Sequence, residues 1–152
     1  MENDLDNLKF PIGKYKAILD FNFSRTVEDI KTLESFAGDL RESVKGLDKT
    51  DFKKSYRDGG MNIAQIIHHF CDTHTYAFLR TKHTLLEENP SVKMYEVSEF
   101  LTTPDSNVLD VKDSLNVIEG IHAKWVSLLK TLSEEDFKKT YYHSSRDKNI
   151  IL

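Results

Sequence analysis

Four of the six histidines fall in one stretch of the chain: His68, His69, His74 and His83. Imidazole is neutral near pH 7, carries protons and ligates zinc or nickel, so chemistry is sought there first. Apolar residues recur at helical spacing around them, at Ile63, Ile66, Ile67, Phe70, Ala77, Phe78 and Leu85. The histidines therefore ride on one amphipathic helix. Each residue turns about 100°. With Ile66 at zero, the apolar stripe centres near about 60° and His74 lies inside it, near about 80°. His69, near about 300°, borders the stripe, and His68, near about 200°, lies on the opposite side. Thr73, Tyr76 and Arg80 share the sector of His69. These four side chains make one polar stripe beside the core face, which is how a pocket between bundle helices is lined. A solvated helix face has the same pattern.

A metal site needs more than His69. Zinc and nickel sites that do chemistry usually take three protein ligands. No histidine stands three or four residues from His69 on the open side of the helix, and His74 points about 140° away. Further donors have to come from other helices. His122 sits on the apolar face of a later helix, three residues before Trp125, and is expected buried and held by a hydrogen bond. Cys71 faces away from His69, so no Cys–His nucleophile pair forms. Glycine-rich phosphate loops, HExxH and GxSxG are absent from the sequence. The catalytic residues stay unassigned at this level.

Three long helices position these side chains. In the first, Thr26 is a candidate cap with Asp29 three residues on. Ile30, Leu33, Ala37, Leu40 and Val44 make its stripe, and Gly46 stops it. In the second, Asn62 caps with Gln65, and Asn89-Pro90 ends the helix. The third begins near Asp110 and buries Val111, Leu115, Ile118, His122, Trp125, Leu129 and Leu132. One helical turn is expected around Val97–Leu101. No stretch alternates over strand length, so the expected fold class is all-α, a bundle.

An internal repeat sharpens this. The ten residues from Leu47 and the ten from Leu132 share six identities, including both DFKK runs, at an offset of 85 residues. Each copy follows a long amphipathic helix. Two helical hairpins related by pseudo-symmetry make a four-helix bundle. The offset places the start of a fourth helix near residue 147, where the sequence reads DKNIIL. The expectation is a single domain over 1–152, C-terminally incomplete, with the fourth long helix missing or truncated. Its open apolar stripes call for a partner, most simply a second copy in a homodimer.

Composition limits the partners. The 152 residues carry 21 basic and 25 acidic side chains, a formal net charge of −4, with the signs interleaved. No basic stripe exists to engage a phosphate backbone, so nucleic acid is not expected. No apolar run approaches the ~18 residues of a membrane span. A lone cysteine and an N-terminus without a signal-peptide pattern fit a cytoplasmic protein.

The stretches FPIGKY, Tyr56 to Glu96 and Ile121 to His143 resemble the DinB/YfiT-like family, over nearly the whole chain. The resemblance implies an up-down four-helix bundle holding a divalent zinc or nickel through three histidines. One belongs to an HH-x-x-D-x-H stretch on the second helix, and two form an H-x-x-x-H pair on the last. The first carries over to His69, with His68 in reserve. No H-x-x-x-H follows His143, and Met61 stands where the family often has Trp. The implied activity is that of a metal-dependent hydrolase or a thiol S-transferase related to the bacillithiol enzymes. The metal would activate water or a thiolate. The substrate would be a small molecule or a low-molecular-weight thiol, with Thr73 lining the pocket and Tyr76 and Arg80 orienting an anionic group. A metal-free helical binding or assembly module is the other class.

Overall fold

Three long helices carry the core: α2 (Phe23–Ser43), α4 (Ile63–Leu86) and α6 (Lys112–Leu129). The computed structural model describes residues 2–14, 21–93 and 96–152, with side chains from Asp6 onward. Tyr15 of the FPIGKY stretch, and Met94 and Tyr95, lie outside the described residues.

The caps follow from the sequence, with one correction. Asn62 and Gln65 form a reciprocal capping box at the start of α4, at 2.8 and 3.0 Å. The start of α2 is capped by Asn22, not Thr26: Asn22 Oδ1 accepts from the Arg25 amide at 3.1 Å. Both residue types cap well, and Asn22 comes first in the chain. The Thr26 hydroxyl instead donates back to the Asn22 carbonyl at 3.2 Å. Past the end of α2, Gly46 takes the left-handed conformation, φ 81°, expected of a helix stop.

Helix α6 packs against both α2 and α4. Ala64, Ile67, Val111, Leu115 and Ile118 form one buried cluster. Ile30, Val126, Leu129 and Phe137 form the other. Trp125, expected buried, is half-buried: it packs at the edge of the second cluster and donates from Nε1 to the Thr81 hydroxyl at 3.1 Å. Tryptophan often sits this way, with its ring covered and its N–H partnered.

The repeat has a structural counterpart. Its copies form the one-turn helices α3 (Lys49–Phe52) and α7 (Glu134–Phe137), each opened by a capping box, Asp48 with Asp51 and Ser133 with Asp136. Phe52 packs on the first core cluster and Phe137 belongs to the second. Lys53, Lys54, Lys138 and Lys139 stay exposed. The two DFKK segments thus plug the bundle with phenylalanine and leave their lysines in water.

The all-α expectation is corrected at the C-terminal side. After a short helix, α5 (Val97–Phe100), and a 3₁₀ turn, Pro104–Asn107, lead into α6, the chain builds a hairpin. Strands β2 (Thr140–His143) and β3 (Lys148–Ile151) pair antiparallel, and β1 (Ser91–Val92) pairs parallel to β2. Residues 147–152, expected to open a fourth helix, therefore supply β3. Asp147 at φ 49° turns the chain, and its carboxylate accepts from the Tyr142 hydroxyl. The reason is local. The Tyr-Tyr and Ile-Ile pairs favour a pleated strand, and each strand is too short for its alternation to stand out in the sequence. Tyr141 and His143 point inward, while Thr140 and Tyr142 are half-buried. Among the described residues no helix is long and apolar enough to cross a membrane.

Candidate functional site

Helix α4 presents its histidines to three different surroundings. His68, placed by phase on the solvent side, is 6% exposed. The 3₁₀ turn and the segment after it pack against α4 and cover that side. The Val108 carbonyl lies 3.0 Å from His68 Nε2 and can only accept, so Nε2 carries the proton. Nδ1 then accepts from the Ser114 hydroxyl at 2.7 Å. Both ring nitrogens are used, and no lone pair remains for a metal.

His69 is half-buried at the border of the core face, with Nδ1 3.3 Å from the Thr73 hydroxyl one turn on. Burial holds its imidazole below the ordinary histidine range, opposed by the nearby Asp72 carboxylate. Burial, reinforced by Asp105, pushes Asp72 up. The same burial, with Asp72, raises the Cys71 thiol, so Cys71 is no thiolate nucleophile.

His74 reaches the core. Its Nδ1 lies 2.6 Å from His122 Nε2, and His122 Nδ1 lies 2.7 Å from the Leu33 carbonyl. The carbonyl fixes one direction: His122 Nδ1 donates to Leu33. The chain of bonds ties α4, α6 and α2 together, with Phe36 stacked on His122 at 5.1 Å. His122 is 2% exposed and uses both nitrogens, one more bond than expected.

Burial, followed by the His122 and His69 charges, pushes His74 down to about 4. Burial also lowers His143. In the unfolded chain these rings take up protons near the ordinary value of 6.5, whereas the folded rings resist. The unfolded state binds more protons in that window, so stability falls as pH falls from about 6.5 toward about 4. Asp72 opposes this only near the carboxylate range. The expected result is a urea midpoint that drops between pH 7 and 4.5, with a shallower drop in His74→Gln. A midpoint flat over that range in the parent chain contradicts it.

The polar stripe divides into two parts. Tyr76 and Arg80 line a cavity of about 290 Å³ between α4 and β1, together with Pro90, Val92 and Lys93. His69 and Thr73 lie one to two turns away and do not line it. The Tyr76 ring meets Phe100 edge-on at 5.9 Å, and the Arg80 guanidinium stacks over Tyr141 at 5.1 Å. Among the described residues no three His, Cys, Asp or Glu side chains gather as a metal would require.

The DinB superfamily pattern matches residues 32–150. The chain belongs to the DinB superfamily. It is 37% identical over 136 residues to a Geobacillus kaustophilus protein named "Putative metal-dependent hydrolase GK0616", covering 90% of this chain and 76% of that one. YfiT of Bacillus subtilis, named likewise, is 32% identical over 146 residues, covering 96% of this chain and 82% of YfiT. The solved YfiT structure, described as a probable metal-dependent hydrolase with an unusual four-helix bundle topology, superimposes with a TM-score of 0.91. That match covers 96% of this chain and 83% of the YfiT chain. The fold is thus mostly helical and of the YfiT bundle type.

Sequence reasoning missed His143 and Tyr141. They lie on the inner face of β2, and a strand recognised at Thr140–His143 would have paired them by its period of two.

Proposed function

We propose that the chain is a metal-dependent hydrolase or thiol S-transferase acting on a small molecule or a low-molecular-weight thiol, with His69 as its own metal donor. One observation carries this reading. Of the histidines on the α4 stretch, His69 is the one that borders the core face, half-buried, with one ring nitrogen facing a neighbouring hydroxyl and burial favouring its neutral form. A neutral, oriented imidazole is what a metal takes. The named function of the relatives agrees.

The donor set as described does not complete a site for zinc or nickel. One imidazole stands where catalytic centres use three protein ligands. We read the remaining donors as coming from beyond this set, with a homodimer as the simplest source. The same shortfall fits the second reading, a metal-free binding or assembly module. Zinc titration separates the two. If His69 is the donor, His69→Ala weakens zinc binding at least about tenfold, the scale of losing an oriented ligand. Equal zinc affinity in the parent and in His69→Ala favours the module.

A further inference from the structure

The last two turns of α4 carry an exposed face that the His69 reading leaves unused. His83 Nδ1 donates to the Glu87 carboxylate at 2.5 Å, and both side chains are exposed. The Glu87 amide still donates to the His83 carbonyl at 2.9 Å, so the two residues keep helical spacing and project from one side. An imidazole nitrogen and a carboxylate oxygen that converge on one point are two donors for zinc. Zinc bonds of about 2.0–2.2 Å set such donors about 3.3 Å apart, so these exposed side chains open by under about 1 Å to admit the ion. The proton now held between them moves to Nε2. Two donors do not complete a site, and no third His, Cys, Asp or Glu joins them among the described residues.

The rest of the face shows where further donors come from. Leu79 is 49% exposed and Leu86 81%. With His83 between them they follow the spacing i, i+4, i+7, the seam along which two helices pack. The neighbouring cations are engaged by rings: Lys82 lies over Phe78 at 5.4 Å, and Arg80 over Tyr141 at 5.1 Å. Two copies related by a two-fold axis present this same face to each other. The axis brings two His83 and two Glu87 together, the four donors of a closed tetrahedral zinc site. Two leucines per copy fall far short of the roughly 1,200–2,000 Å² that a stable interface buries, and the two carboxylates repel each other. The contact therefore needs the cation.

We infer that His83 and Glu87 are one half of a zinc site that joins two copies of the chain across the Leu79 and Leu86 face of α4. Four protein ligands leave no open position, so the site is structural and not catalytic. It does not rest on His69 as a donor.

The test adds zinc to the chain and follows its mass by sedimentation equilibrium, against a sample in EDTA. Zinc should double the mass found in EDTA. His83→Ala and Glu87→Gln each weaken this zinc-dependent association at least about tenfold, and Leu86→Lys weakens it as well. These are surface changes, which leave the fold intact. In His69→Ala the association is unchanged and saturates at one ion per two chains. A mass that zinc does not raise overturns the inference, as does association kept at full strength in both His83→Ala and Glu87→Gln. Association lost in His69→Ala but kept in His83→Ala overturns it too, while leaving His69 as metal donor intact. Association that needs His83 in a chain whose His69 takes no metal sinks the hydrolase reading and not this site.

Discussion

His122→Ala is expected to cost about 3–5 kcal/mol of stability. Two costs combine. Removing the ring leaves a cavity where Phe36 stacked on it. It also strips the Leu33 carbonyl of its donor and His74 Nδ1 of its hydrogen-bond partner, both inside the bundle. His122→Phe refills the volume without restoring either bond, so it recovers part of the loss. The measurement is the urea midpoint at constant slope. A shift below about 0.5 kcal/mol in His122→Ala, the range of ordinary surface changes, would show that these bonds do not hold α2, α4 and α6 together.

His68→Ala is expected to cost about 3 kcal/mol, and His69→Ala less than about 1 kcal/mol. The difference follows from their surroundings. His68 is buried, donates to Val108 and accepts from Ser114, so it pins the connection before α6 onto α4. His69 is half-buried with one hydroxyl at 3.3 Å from its Nδ1. Hydrogen exchange adds a local readout: amides of residues 101–110 should lose protection in His68→Ala and keep it in His69→Ala. The reverse order of stability would exchange the structural and functional roles of the two adjacent histidines.

Much of this was legible in the residues. The Asn62 and Gln65 box, the three long helices, the turn at Val97–Phe100 and the paired DFKK plugs follow from capping chemistry and helical period. What escaped depends on contacts distant in sequence. A helical wheel places His68 relative to its own apolar stripe and knows nothing of a connecting segment folding over its back. The His74–His122–Leu33 bonds join residues on three helices. The hairpin was hidden because β2 and β3 run four residues each, too few for alternation to outweigh a helical reading of Ile-Ile-Leu. Thr26 and Asn22 are equally good caps by type, and the fold decides between them.

The role of His69 is tested most directly by nickel titration of a chain labelled at its histidine rings. His83 and Glu87, exposed and one turn apart, offer a surface metal pair, so the titration uses His83→Ala. Paramagnetic broadening should strike the His69 ring at the lowest nickel concentration and leave His68 and His122, whose nitrogens are all committed, until last. Broadening that begins at His68 or His74 while the His69 ring stays sharp would contradict His69 as the metal donor of this chain.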